Sequence, residues 1–368
     1  MLFKRMNKRN LISTVVLVAI FLTLSYLMGT NKEIKGIADV VNLVFIFSIA
    51  ALSLNIVCGC LGEFVLGHAG FVLIGYTLAV LIMKEIRGAF DPTFFSENVF
   101  TVRGGVLHPL GYGLIVGDVI LAAIITGIFG FIVGVIVLGR LKGDYLAIVT
   151  LGISLIFVNI CNNFDDTAII NLGGGSGINV TTFISGTPII YASFLVLVVI
   201  LILAFMKTRF GRSILACRDD NIAAEACGVA VNKTKILAFT FSSIIAGLAG
   251  GLFAFYSAAA PSSFGQDRSI FFLVIIVLGG LGSLTGSIFA TGVLVFYEFW
   301  LCKQTFIPEF FRTNPRIIYG IVLVLIMLFR PNGILGTSEF TWKWFYSGIK
   351  KIINKIFKKK TIAPKEVE

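Results

Sequence analysis

Charged residues are scarce in this sequence of 368 residues: they make up 13% of the chain, whereas 57% of its residues are hydrophobic. A soluble globular domain carries about 25% charged residues. Apolar runs of about 20 residues recur along the whole chain, and each could cross a hydrocarbon core of about 30 Å as a helix. We therefore expect an all-α fold, a polytopic bundle of transmembrane helices.

Histidine and the usual motifs of catalysis are also rare. The two histidines, His68 and His108, are too few for an ordinary metal site or a catalytic constellation. The sequence contains no Gly-Lys dipeptide and hence no P-loop, and the glycine clusters at 173–177 and 280–286 lack a βαβ context. We expect no enzyme activity, no metal and no cofactor, and we expect any ATP to be bound by partner subunits.

Cysteine and net charge exclude two further classes. The six cysteines show neither CxxC spacing nor a nearby histidine cluster, so they are interpreted as small buried residues. The net charge of +11 is not concentrated on a soluble domain, which argues against a nucleic-acid partner. The cysteines are Cys58, Cys60, Cys161, Cys217, Cys227 and Cys302.

The apolar runs predict about ten spans. The first, 11–29, follows four basic residues, but it is longer than the apolar region of a typical signal peptide and is interpreted as a retained helix. Residues 270–300 would extend about 46 Å as one helix, so we expect two short spans or a re-entrant hairpin, broken at the glycines. The other predicted spans are 37–58, 64–83, 113–138, 144–161, 188–206, 235–258 and 316–329.

Basic residues orient these spans. With ten crossings and a cytoplasmic N-terminus, 21 of the 30 Lys and Arg residues fall on the cytoplasmic side. Both termini are then cytoplasmic, residues 84–112 and 162–187 are outside, and 207–234 form a cytoplasmic loop. We divide the chain into a transmembrane domain at 1–336 and a basic cytoplasmic tail at 337–368, which resembles an interfacial anchor.

Polar residues within the spans are few. His68 follows Gly67 and precedes Gly70 near the inner end of a span, and either a functional role or a purely structural hydrogen bond fits it equally well. Asp118 and Glu298 lie near helix ends and are interpreted as solvated or snorkelled side chains. Asn55 and Asn159 are the other polar candidates. So few carboxylates make an ion-coupled carrier a weak alternative.

The cytoplasmic loop predicts a short helix. Asp219, Asp220 and Asn221 supply a plausible N-cap, and Gly228 supplies a helix stop. Such a helix could transmit movement from a soluble subunit, although a helix lying on the membrane surface fits the sequence equally well.

Several stretches, in order, resemble the permease subunits of branched-chain amino acid ABC transporters, specifically the LivM-like half of a two-permease pair. The strongest match is the segment 208–254. The matching stretches are GHAGFVLIGYTLAVLI (67–82), GDYLAIVTLGISLI (143–156), NLGGGSGI (171–178), TRFGRSILACRDDNIAAEACGVAVNKTKILAFTFSSIIAGLAGGLFA (208–254), PSSFGQDRSI (261–270), VLGGLGSLTG (277–286) and LFRPNGILG (328–336).

This resemblance implies that the chain works in a complex with other subunits. It implies a second homologous permease, two cytoplasmic ATPases and an extracytoplasmic substrate-binding protein, with 84–112, 162–187 and 259–269 as candidate contacts for that protein. It also implies a coupling segment at 208–232 that docks on the ATPase. The docking residues by resemblance are Arg212, Arg218, Asp219, Asp220, Glu225, Ala226 and Gly228.

The resemblance determines neither the cargo nor the residues of the gate. Permeases for urea and short amides have very similar motifs, so the resemblance defines the machine better than its cargo. The glycine-rich break could form a gate, or its small residues could serve packing alone. Our candidates for the translocation path or gate are Asn55, Gly67, His68, Gly70, Gly279, Gly280, Gly282 and Gly286.

Overall fold

The computed structural model describes residue 23 and residues 35–89, 109–141, 143–163, 188–303, 309–329 and 333, and all regular structure in these ranges is helical. Apart from residue 23, the predicted span 11–29 lies outside the described residues, as do most of the two predicted outer segments and the basic tail. The helices are α1 (Lys35–Asn55), continued by a π-helix (Ile56–Leu61), α2 (His68–Ala89), α3 (Pro109–Val137), α4 (Asp144–Asn163), α5 (Pro188–Lys207), α6 (Arg209–Asp219), α7 (Asn221–Ala226), α8 (Val231–Tyr256), α9 (Gln266–Gly279), α10 (Leu284–Phe299), α11 (Glu309–Thr313) and α12 (Pro315–Phe329), with 3₁₀ turns at Pro261–Phe264 and Leu301–Lys303.

The helical bundle agrees with the spans predicted from residue 37 onward. Seven stretches in the described ranges are long and apolar enough to cross a membrane, and two shorter apolar helices, Leu284–Phe299 and Ile317–Ile326, accompany them. The apolar run 270–300 is divided between α9 and α10, so the predicted break in that run is confirmed. Together with the predicted span 11–29, these nine stretches would give ten crossings.

Helix α1 lies at the centre of the bundle. Its most apolar window is completely buried, and α5, α8, α9 and α10 pack around it. Helix α1 is buried on every face from Val40 to Leu54, so other helices rather than lipid surround it. The centre of α1 therefore serves as the core against which the other spans pack.

Small residues bring the neighbouring helices close together. A Cβ atom added at Gly70 would lie 2.7 Å from the Ser154 Oγ, and one added at Gly75 would lie 2.5 Å from the Gly247 Cα. Such contacts join α2 to α4 and α8 without room for a larger side chain. Close backbone packing of this kind is a main source of helix association in membranes, where apolar burial alone gives little.

Helices α3 and α4 form an apolar outer surface. Only 44% of the most apolar window of α3 and 33% of that of α4 are buried, and exposed side chains such as Ile128, Phe131 and Ile148 cover the rest. Exposed apolar surface of this extent is unfavourable in water but matches lipid or a second membrane subunit.

Candidate functional site

The predicted helix of the 207–234 loop is in fact a pair of helices. The Thr208 hydroxyl accepts a hydrogen bond from the Gly211 amide (3.3 Å), caps α6, and so starts a helix that sequence analysis did not separate from the loop. Gly211, Ile214 and Cys217 of α6 are buried against the bundle. These three residues recur every three residues along one face, so they fasten α6 to the membrane helices.

Helix α7 begins and ends where the sequence predicted. Asp220 Oδ1 accepts hydrogen bonds from the Ile222 and Ala223 amides at 2.8 and 3.2 Å, and Gly228 follows the helix with a φ of +81°. Both termini use the expected chemistry, since a carboxylate suits an N-cap and glycine suits a left-handed residue. Asp219 and Asn221, the other two candidates for the cap, are exposed.

Within the part of the chain that the structure describes, one face of the α6–α7 pair is exposed. Ala224 is buried, whereas Ile222 is 81% exposed, an unusual position for a large apolar side chain. Six of the seven candidate docking residues lie on exposed positions: Arg212, Asp219, Asp220, Glu225, Ala226 and Gly228. Ile222 was not among the residues predicted from the sequence, although an isoleucine two residues after the charged N-cap Asp220 was the available signal. The seventh candidate, Arg218, is only half-exposed and lies against the bundle.

A four-residue turn separates α9 from α10. Gly280 and Gly282 have φ angles of +112° and +91°, which residues other than glycine rarely adopt. The 14 residues of α9 and the 16 residues of α10 rise only about 21 and 24 Å, less than a hydrocarbon core of about 30 Å. Gly279 and Gly286 bring the two helices into backbone contact, since a Cβ at Gly279 would lie 2.5 Å from the Gly286 carbonyl carbon.

Asn55 holds this turn. Its Nδ2 donates to the Ser283 carbonyl (3.1 Å) and to the Ser287 Oγ (3.2 Å), and its Oδ1 accepts from the Gly282 amide (2.8 Å). Asn55 is buried at the last residue of α1, directly before the π-helix. The structure thus brings together Asn55, Gly279, Gly280, Gly282 and Gly286, five of the eight residues proposed for the path or gate.

A buried ion pair lies beside the end of the π-helix. The ammonium of Lys235, in the first turns of α8, contacts the carboxylate of Glu63, which follows the π-helix. The side chains are 5% and 14% exposed. Cys217 of α6 is near this pair: burial raises the pKa of its thiol, and the positive charge of Lys235 partly opposes that shift. In the sequence, Lys235 counts only among the 21 basic residues predicted on the cytoplasmic side, and its partner was not predicted.

We call the region where these elements meet the helix junction: Asn55, residues 59–63, Arg218, Lys235 and residues 279–283. It joins the α6–α7 pair, the π-helix and the α9–α10 turn. A Cβ at Gly59 would lie 2.5 Å from the Gly282 amide nitrogen, so the π-helix and the turn are in direct contact. Single π-helical turns within α-helices occur frequently at functional sites.

The other three candidates for the path or gate, Gly67, His68 and Gly70, contact α1 at Ser53 and contact α4. His68 begins α2, and its Nε2 lies 2.6 Å from the Ser53 Oγ. The Ser53 hydroxyl also donates to the Ala50 carbonyl at 2.6 Å. The partner of His68 is thus a side-chain hydroxyl. Gly67 and Gly70 allow close contact with Thr150 and Ser154 of α4.

Two interpretations of intramembrane carboxylates need correction. Asp118 is 1% exposed, and neither of its oxygens has a hydrogen-bond partner, so it is not the solvated residue that its place near a helix end suggested. Glu298 lies 3.7 Å from Arg268, whose guanidinium stacks on the rings of Phe47 (5.1 Å) and Phe271 (5.4 Å). This pair closes the end of α9 and α10 opposite the turn.

All six cysteines lie among the described residues. Five of the six cysteines are buried and Cys227 is exposed, so the interpretation as buried residues is wrong for Cys227 alone. Within the described ranges, no three His, Cys, Asp or Glu side chains lie close enough together to hold a metal ion.

Comparison with known proteins gives consistent matches. A family model described as the permease component of the branched-chain amino acid transport system matches residues 36–329. The high-affinity branched-chain amino acid transport permease LivM of Salmonella typhimurium is 31% identical over 341 residues, covering 83% of this chain and 71% of that protein. LivM of Escherichia coli gives the same figures. A probable LivM of Methanocaldococcus jannaschii is 28% identical, covering 79% of this chain and 90% of its own length. No solved structure matches the chain.

Proposed function

The chain belongs to the family of branched-chain amino acid transport permeases, and from this premise we propose that it is the transmembrane permease subunit of an ATP-driven importer for leucine, isoleucine and valine. One structural observation supports this role most directly. The α6–α7 pair is fastened to the bundle by one face and presents the other, with Ile222, to a partner. A transport subunit powered by a separate ATPase needs such a surface.

The partners follow from this role. The chain contains no P-loop, so two ATPase subunits would bind the nucleotide and dock on α7 through Ile222 and the charged residues around it. A second, homologous permease would cover apolar surface of the bundle and complete the translocation path. An extracytoplasmic binding protein would deliver the amino acid to the opposite side of the membrane, where 84–112, 162–187 and 259–269 are its candidate contacts.

The proposed orientation places both termini and the α6–α7 pair in the cytoplasm. Six basic residues lie between Lys207 and Lys235, and nine lie from Arg330 onward, which favours this side under the positive-inside rule. The helix junction would then lie near the inner surface, and the Arg268–Glu298 pair near the outer surface.

Transport would proceed by alternating access. Closure of the ATPases would move the α6–α7 pair, and the movement would reach the α9–α10 turn through the helix junction. The turn suits a gate, because a break between two short helices can change its arrangement without unwinding either helix. Weak contacts between the path and its cargo would be sufficient, since tight binding to one state would slow release.

Cys227 provides a test of both the orientation and the docking. As the only exposed cysteine, it should react with a membrane-impermeant maleimide in inside-out vesicles and not in right-side-out vesicles. Bound ATPases should slow this labelling at least tenfold, because Cys227 ends the helix to which they would dock. The measurement is the initial labelling rate, with and without purified ATPase subunits.

Cys227→Ser is the matched control, and its labelling should fall to background because the other five cysteines are buried. Labelling from the outer face would contradict the orientation. A labelling rate that bound ATPases leave unchanged would show that α7 is not their docking site.

A further inference from the structure

Arg218 differs from the rest of the proposed docking surface because it lies against the bundle. A Cβ at Gly62 would lie 3.2 Å from the Arg218 Cγ, and one at Gly282 would lie 3.4 Å from its Nη1. The side chain therefore extends from α6, past the end of the π-helix, to the α9–α10 turn. It connects the candidate docking element directly with the candidate gate.

The surroundings of Arg218 favour a cation. The π-helix ends at Leu61 and α9 ends at Gly279, and both ends lie at the helix junction. The last carbonyls of a helix lack intrahelical partners and carry the negative end of the helix dipole. A guanidinium placed between two such ends can donate to either of them, and its fixed fork reaches further than the ammonium of a lysine.

In the observed arrangement this capacity is not fully used. Arg218 Nη1 is buried and has no hydrogen-bond partner, whereas the turn beside it is held by Asn55. A buried, unpaired N–H of a charged group is costly, and such orphan groups in native structures call for an explanation. An alternative arrangement in which the turn presents a carbonyl to Nη1 would satisfy it.

We propose that Arg218 is the positioning residue that transmits movement of the α6–α7 pair to the α9–α10 turn. When the pair shifts, the guanidinium exchanges its contacts at the turn, so that the two arrangements of the gate differ by a hydrogen bond to Nη1. The ligand and the ATPase then need only bias an equilibrium between two packed states. This inference rests on the proposed function, because it assigns the path by which that function is coupled.

Two roles of Arg218, anchoring α6 and transmitting movement to the turn, predict different effects of its substitution on ATP hydrolysis and uptake. If the residue only anchored α6, its loss would lower assembly with the ATPases, and ATP hydrolysis and uptake would fall together. If it transmits movement, the complex assembles and hydrolyses ATP, but hydrolysis no longer drives uptake. The decisive quantity is therefore the number of ATP molecules hydrolysed per amino acid transported.

The experiment compares wild type, Arg218→Gln and Arg218→Lys in proteoliposomes that contain both permeases, the ATPases and the binding protein, with radiolabelled leucine as the probe. We expect Arg218→Gln to keep ATP hydrolysis within about twofold of wild type and to lose at least tenfold in uptake. Arg218→Lys keeps the charge without the fork and should show a smaller loss. Arg140→Gln, at an exposed position between α3 and α4, should leave both rates unchanged.

Uptake by Arg218→Gln at the wild-type ratio of ATP to leucine would overturn the inference, as would a parallel loss of both activities. If Arg218→Gln fails to assemble, Arg218→Lys decides: an assembled but uncoupled complex supports the inference, and full coupling overturns it. The wild-type proteoliposomes separate a failure of the Arg218 inference from a failure of the proposed function. If they show no ATP-driven leucine uptake, the proposed function itself is contradicted.

Discussion

Replacing Lys235 with methionine should prevent stable assembly of the bundle. The substitution leaves the carboxylate of Glu63 buried without its partner, at a place where its side chain is only 14% exposed. Removing one member of a buried ion pair costs about 3–5 kcal/mol. We expect the apparent melting temperature of the purified chain in lipid nanodiscs to fall by at least 10 °C, or the yield of monodisperse protein to fall at least tenfold.

The double variant Lys235→Met/Glu63→Leu separates the charge from the packing. With both charges absent no ion is left unpaired, and exchange of such a pair for apolar residues is often nearly neutral. Recovery of most of the lost stability in the double variant is the expected result. Equal loss in the single and double variants would mean that the pair does not determine stability at this site.

Asn55→Leu should abolish transport by releasing the α9–α10 turn. The variant removes three hydrogen bonds at once and leaves the buried Gly282 amide without an acceptor, at a cost of about 1–3 kcal/mol for that group alone. The volume of leucine is similar, so the helices can still pack. We expect ATP-driven leucine uptake to fall at least 20-fold, with a smaller effect on the amount of assembled complex.

Asn159→Leu is a suitable comparison for thermal stability, because Asn159 is an exposed asparagine on α4. Its melting temperature should stay within about 2 °C of wild type, whereas Asn55→Leu should lower it by several degrees. Wild-type uptake by Asn55→Leu would contradict the assignment of the turn as a gate, whatever the effect on stability.

The sequence predicts most of the helices because their signal is local. Runs of apolar residues define α1 to α5, α8 and α12, and the N-cap at Asp220 and the stop at Gly228 follow from the residues themselves. The break at 280–283 could also be predicted, since a single helix over 270–300 would be longer than the hydrocarbon core is thick. These features depend on residues that lie within one continuous stretch of the sequence.

The helix junction could not be predicted in the same way, because it depends on contacts between distant parts of the chain. Asn55 meets Gly282, and Glu63 meets Lys235, across separations of 227 and 172 residues. Nothing near Lys235 in the sequence indicates an ionic partner. Likewise, Arg218 resembles any other basic residue of the loop until its position against Gly62 and Gly282 is known.

Asp118 illustrates the limit of reasoning from position along a span. It lies nine residues from the start of α3, close enough to the helix end to suggest a solvated carboxylate, yet it is buried, on a helix that packs mainly against α2 and α8. Which face of a helix is buried depends on its neighbours. The uniformly apolar sequence of α3 gives little indication of that face.

The most direct test of the account is uptake of radiolabelled leucine, isoleucine, valine and urea by proteoliposomes. One set contains this chain with its second permease, ATPases and binding protein, and a matched set contains this chain alone. The account predicts ATP-dependent uptake of the three amino acids by the complete assembly and no flux through the chain alone. Uptake of urea without amino acids would contradict the proposed cargo, and ATP-independent flux through the chain alone would contradict the importer itself.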